Sequence, residues 1–160
     1  MHMQQFHTFG EVNRHPQGRV ITVAYYALIR INGQKEVRPI TQYARKAFWH
    51  PVNELPKLAF DHTEIFKTGF NKIRRRLNYQ PIAFELLPEK FTLTQLQLLY
   101  EAVLSKKLDK RNFRKKMLSY GFLKELDEKQ KGVSYRAAKL YKFDRRKYAK
   151  IFHNDLNLDK

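Results

Sequence analysis

Along "GRVITVAYYALIRI", residues 18–31, apolar side chains fill both alternating sets of positions. Val20, Ala24, Tyr26 and Leu28 stand on one, and Ile21, Val23, Tyr25 and Ile29 on the other. Side chains alternate faces in a strand, so this pattern predicts a strand covered on both sides. In "FDHTEIFKTGFNKIRRRL" the period changes to that of a helix. Ile65, Phe66, Phe70, Ile73 and Leu77 form its inward stripe. Asp61 is placed as its N-cap, with Glu64 three residues on and Phe60 set to staple against Ile65. Arg74, Arg75 and Arg76 gather in the last turn, where cations suit the helix dipole, and are expected to be solvated.

The second half of the chain carries two sharper helix signatures. "FTLTQLQLLYEAVL" offers Thr92 as N-cap, Gln95 at the third helical position and a Phe91/Leu96 staple. Leu96, Leu99, Tyr100, Val103 and Leu104 then follow at i, i+3, i+4, i+7 and i+8. After the turn "SKKL", Asp109 caps a second helix that ends at Gly121. "FLKEL" and "KLYKF" read as short strands flanking the polar loop "DEKQKGVSYRAA". Helix, turn, helix and hairpin is the order of a winged helix-turn-helix. Ahead of it, Pro81 and Pro88 in "NYQPIAFELLPEKFT" suggest an ordered, partly apolar linker. The expected organisation is a first domain over 1–80, a linker over 81–90, the winged helix-turn-helix over 91–148 and a tail over 149–160.

Charge gives this organisation a direction. The chain holds 32 Lys+Arg against 15 Asp+Glu, a formal net charge of +17, which points to a polyanionic partner and above all to nucleic acid. The excess is densest in the second part: residues 89–150 hold 18 basic and 7 acidic residues, while residues 1–88 hold 13 and 6. Within "LDKRNFRKKMLSYG", five of the seven residues from Lys110 to Lys116 are cations. At about 100° per residue, Phe113, Met117 and Tyr120 share the inward face. Arg111 and Lys115 point outward, Asn112 and Ser119 flank them, and Lys110, Arg114 and Lys116 lie at the sides. Side cations can hold phosphates while outward Arg and Asn reach guanine and adenine edges in a major groove. The loop adds Lys129, Lys131, Arg136 and Lys139 as a second phosphate-reaching element. The expected partner is double-stranded DNA, contacted by Lys110, Arg111, Asn112, Arg114, Lys115, Lys116, Lys131, Arg136 and Lys139. A solvated basic face is the plainer reading of any such run taken alone.

With "AFDH", "LLPEKFTLTQLQLLYEAVL", "LDKRNFRKKML" and "LYKF" in this order, the chain resembles the Nudix-related transcriptional regulators, the NrtR family. "FHTFGEVNRHPQGRVITVAYYALI" and "FWHPVNELPKLAFDH" look like the second half of the Nudix domain that precedes the winged helix in that family. The resemblance covers about Phe6 to Phe143. It implies an α+β chain, a partial Nudix-like α/β domain followed by a winged helix-turn-helix. It also implies a homodimeric repressor or activator whose Nudix-like part senses an effector, ADP-ribose or a pentose such as arabinose. Arg14, Arg19 and His62 are the candidate effector-binding residues, although solvation is the plainer reading for the arginines and core packing for Tyr25. One departure is large. The pattern G-x5-E-x7-R-E-U-x-E-E-x-G, whose glutamates hold divalent cations on a diphosphate, is not found in these residues. "KELDEKQKG", Lys124 to Gly132, has Lys129 where the second paired glutamate belongs and is a decoy on the wing. The chain is therefore expected to start after that element, as a fragment or a gene that lost its front, with no catalytic residues. Residues 20–31 should then need a partner chain or the missing half to cover their apolar edge.

The rest of the chemistry is sparse. With no cysteine there is no thiolate zinc site or thiol nucleophile, and the six histidines form no i, i+4 pair on a helix, so neither metal nor cofactor is expected. No apolar run reaches membrane-spanning length and "MHMQQFHTFG" is unlike a signal peptide, so no membrane association and a cytoplasmic location are expected. Two alternatives stay open: a Nudix-type nucleotide hydrolase fragment without catalytic activity, and a non-specific nucleic-acid binder. The latter would call for exposed aromatic platforms.

Overall fold

The structure, a computed structural model, describes residues 2–16, 18–30, 46–130, 132 and 137–154. It divides into two compact units, Met1–Arg75 and Arg76–Lys160.

In the first unit, β1 (His2–Phe9) and β2 (Thr22–Leu28) pair antiparallel from His2↔Leu28 to Phe9↔Thr22, with a register shift between Gln5 and His7. Ala24 and Tyr26 are the buried residues of β2. The Tyr26 ring lies 6.2 Å from Phe6, and its hydroxyl donates to Gln4 Oε1 at 3.2 Å. Phe6 in turn rests on Gly69 of α1 (His62–Tyr79), where an added Cβ would stand 2.9 Å from the ring. A glycine inside a helix costs about 1 kcal/mol against alanine, and close approach of this ring explains it. Among the described residues, the strand expected to be covered on both faces is covered on one. Val23 is 48% and Tyr25 55% exposed, because the two-stranded sheet packs only its Ala24/Tyr26 side. Core packing for Tyr25 is thus overturned: its hydroxyl donates to the exposed Gln5 Oε1 at 3.4 Å.

The second unit is built around Phe91 and Leu96, 1% and 0% exposed. They flank the start of α3 (Leu93–Leu104), whose cap is the expected one: Thr92 Oγ1 accepts from Gln95 N–H at 3.1 Å, and Gln95 Oε1 accepts from Thr92 N–H at 2.8 Å. α4 (Lys110–Ser119) starts at Asp109, whose Oδ1 accepts from Asn112 N–H at 2.8 Å, and Gly121 follows its end at φ 73°. β3 (Leu123–Lys129) and β4 (Lys139–Phe143) pair antiparallel. Phe91 exchanges two backbone hydrogen bonds with Tyr141 of β4, at 3.0 and 2.8 Å, and so tethers the approach to α3 to this hairpin. Residues 81–90 hold a short helix, α2 (Ile82–Leu86), with Ile82 and Ala83 buried. Phe84 stacks on Phe143 at 4.0 Å. Pro81 precedes the first helical residue and Pro88 lies beyond the last, so the prolines bracket this helix. After β4, Asp144 Oδ1 accepts from Lys147 N–H at 3.0 Å and opens α5 (Arg145–Asn154). Tyr148 packs it 5.5 Å from both Phe122 and Phe143.

Candidate nucleic-acid interface

α4 presents two chemically distinct sides. Phe113 and Met117 are buried, with Phe113 edge-on to Tyr100 of α3 at 5.4 Å. Lys110, Arg111, Asn112, Lys115 and Lys116 are all exposed. The apolar anchors fix the helix's rotation, and the rotation sends the cations and Asn112 outward. The turn before α4 is held as firmly. Glu101 Oε1 accepts from Leu108 N–H at 2.9 Å and from Gln97 Nε2 at 3.0 Å, while Gln97 Nε2 donates to Leu108 O at 3.0 Å. The Leu108 hydrogen bond, more than any other contact, holds the Glu101 carboxyl below its usual range. Ser105 takes the left-handed conformation, φ 52°, that ends α3. No periodicity marks Gln97 and Glu101, which therefore escape a pattern reading of the sequence.

Arg114 departs from its expected place as a side cation facing phosphate. It is only partly exposed, its Nη2 donates to Thr94 Oγ1 at 3.2 Å, and its Nε is buried without a hydrogen-bond partner among the described residues. Its guanidinium is drawn to the first turn of α3. Lys139 is exposed but tied to its own strand pair: its Nζ donates to Glu125, which also accepts from Tyr141 Oη at 3.1 Å. That hydrogen bond holds Glu125 below its usual range and raises Lys139. Further pairs join the hairpin to the residues before α3, Lys90 with Glu128 at 2.7 Å and Lys142 with Glu89. Lys131 and Arg136 lie outside the described residues. α5 adds Arg145, Arg146, Lys147 and Lys150 to the exposed cations of this unit. The Asp144 cap is the signal that could have announced this helix within the expected winged helix and tail.

The candidate effector residues separate. Arg14, expected to be solvated, has a side chain only 6% exposed. Its Nε and Nη2 donate to the two Asp61 carboxylate oxygens at 2.7 and 3.1 Å, and Nη1 donates to Thr22 Oγ1 at 2.9 Å and Val20 O at 3.2 Å. Asp61 therefore gives its carboxylate to Arg14, while its backbone carbonyl accepts from Glu64 and Ile65 at 2.9 and 3.1 Å. The Arg14 hydrogen bond holds the Asp61 carboxyl below its usual range. Phe60, expected to staple Ile65, is 60% exposed at φ 47°, with its ring 4.8 Å from His15 and 6.1 Å from His62. Arg19 and His62 are exposed. Among the described residues no group of three or more His, Cys, Asp and Glu is arranged to hold a metal ion, and no helix is long and apolar enough to cross a membrane.

Residues 83–143 match the NrtR DNA-binding winged helix domain. Over 144 residues the chain is 32% identical to an ADPR responsive transcriptional repressor NtrR from Acinetobacter baylyi, covering 89% of this chain and 56% of that relative's length. The chain thus spans little more than half of it. The crystal structure of Shewanella oneidensis NrtR complexed with a 27mer DNA is similar with a TM-score of 0.68 and 25% identity, over 92% of this chain and 67% of that one. A MutT/nudix family protein from Enterococcus faecalis shares the fold with a TM-score of 0.60 and 24% identity, over 88% of this chain and 61% of that one. Residues 83–143 thus match the NrtR winged helix domain, within a chain whose α+β fold is similar to that of NrtR, a Nudix-like part followed by a winged helix.

Proposed function

We propose that this chain is a sequence-specific regulator of transcription that binds double-stranded DNA through residues 91–148 and acts as a repressor released by ADP-ribose. The observation that carries the reading is α4: Phe113 and Met117 buried beneath it, Arg111 and Asn112 exposed near its N-terminus. That division suits a recognition helix in a major groove. Arg111 and Asn112 are the base-reading pair. Lys110, Lys115 and Lys116 hold phosphates, and Arg114 and Lys139 join them by exchanging Thr94 and Glu125 for phosphate. The similarity to an ADPR responsive repressor and to an NrtR bound to DNA supports both partner and effector. The protein works as a homodimer on paired half-sites in the cytoplasm. The similarity to a transcriptional repressor and to NrtR bound to DNA supports a regulatory rather than a hydrolytic role.

Titrations on cognate and scrambled duplexes at several salt concentrations test the reading. Arg111→Ala should cost roughly 1–3 kcal/mol on the cognate site and little on random duplex. Lys116→Ala should weaken both alike and flatten the salt dependence by about one unit of slope. Identical behaviour of the two variants on both DNAs would refute the division of labour.

A further inference from the structure

The second unit contains a cavity of about 530 Å³ beneath α4, within the size range of small-molecule sites. Its walls are aromatic, with Phe84, Phe113, Phe122, Tyr100, Tyr120 and Tyr148 among its lining. Two observations mark it as more than a packing gap. Tyr100, half-buried on the lining, makes no hydrogen bond through its hydroxyl among the described residues, so its O–H is available to an acceptor that enters the cavity. Burial pushes that phenol up to about 12, helped by the nearby Tyr120 and Tyr148, so it stays a neutral donor at every ordinary pH. The charged groups on the lining are also unequal. Lys106 of the turn before α4 and Lys116 of α4 are on the lining, while the one carboxylate there, Asp109, is engaged in capping Asn112. Aromatic faces, an available O–H donor and two ammonium groups together call for a planar ring bearing an anion.

We propose that this cavity binds an aromatic carboxylate, its ring among the phenylalanines and its carboxylate accepting from the Tyr100 hydroxyl in the field of Lys106 and Lys116. Two lining residues, Asn112 and Lys116, also belong to the exposed side of α4. An occupant that engages them takes two DNA-facing groups out of use, so binding of this ligand and binding of duplex oppose one another. This second half rests on the DNA-binding reading above; the site itself does not.

The experiment uses the whole chain with 1-naphthoate as probe and 1-naphthylmethylammonium as its charge-reversed control. Calorimetry should show naphthoate binding and the ammonium probe at least about tenfold weaker, as expected for a hydrogen bond to a charged group. Tyr100→Phe keeps the ring and should weaken naphthoate about tenfold, and Lys106→Gln, on the exposed turn, about threefold. Saturating naphthoate should weaken duplex binding by the wild-type chain, and by Tyr100→Phe only at correspondingly higher concentration. No naphthoate binding, equal binding of the two probes, or wild-type affinity in both variants overturns the site. Naphthoate binding that passes those controls but leaves duplex affinity unchanged overturns the coupling. A chain that binds naphthoate as expected but no duplex sinks the DNA-binding reading and leaves the site standing.

Discussion

Replacing Thr92 by alanine removes a hydroxyl and a methyl from a position that is 3% exposed. The hydroxyl oxygen accepts from Gln95 N–H at 3.1 Å, and its partner Gln95 Oε1 accepts from Thr92 N–H at 2.8 Å. Loss of such a cap typically costs about 1 kcal/mol. The vacated hydroxyl and methyl sites lie beside the closely packed Phe91 and Leu96, where little water can enter and the chain can relax only in part. Roughly another 0.5–1 kcal/mol follows from the lost packing, for a total near 1.5–2 kcal/mol. For a unit of this size each kcal/mol lowers the melting temperature by roughly 4–8 °C, so Thr92→Ala should melt about 6–16 °C below wild type. Thr92→Ser separates the two contributions, since it keeps the cap and loses the methyl. Differential scanning calorimetry of wild type, Thr92→Ser, Thr92→Ala and Gln95→Ala, with the double variant for coupling, gives the comparison. Because the box is reciprocal, the double variant should be less destabilised than the two single losses added. If Thr92→Ala and Thr92→Ser melt together, the hydrogen bonds contribute nothing measurable and the capping argument is wrong.

Two further outcomes follow from the first unit. Gly69→Ala should destabilise it although alanine is the better helix former: roughly 1–3 kcal/mol of overpacking against Phe6 outweighs the propensity gain of about 1 kcal/mol, and a rise in the urea midpoint would refute this. Asp61 has a folded pKa depressed by Arg14, so its stabilisation is fully present above the ordinary carboxylate value of about 3.9 and lost as pH falls through the folded value. Urea midpoints measured through that acid range should show Asp61→Asn with a shallower fall than wild type, and parallel curves would count against the pair.

The helices of the winged domain were legible because their signals are local. Thr92, Gln95, Phe91 and Leu96 lie within six residues, and Asp109 and Gly121 stand at the two ends of one helix. What escaped the sequence were contacts between distant residues. Asp61 has the type and position of an N-cap, yet Arg14, 47 residues away, takes its carboxylate. Arg114 has the helical phase of a side cation, yet Thr94, 20 residues away, takes its guanidinium. Neither competitor leaves a periodic trace. β2 misled for another reason: an apolar pattern states what a strand could bury, and the neighbouring layers decide what it does bury. Residues 81–90 show the same limit, since proline spacing marks where a helix cannot run but leaves room for one turn between.

The Gln97, Glu101 and Leu108 hydrogen bonds across the turn between α3 and α4 restrict how the two helices can move. A helix pair latched at its corner resists re-aiming of one member against the other, so α4 carries a fixed set of side chains in a fixed orientation relative to α3. If the chain works as proposed, an effector has little leverage on which bases that surface prefers. It can act on where the surface is held, or on whether its outward groups are free. Regulation of this kind would change occupancy of an operator while leaving the preferred sequence of that operator the same.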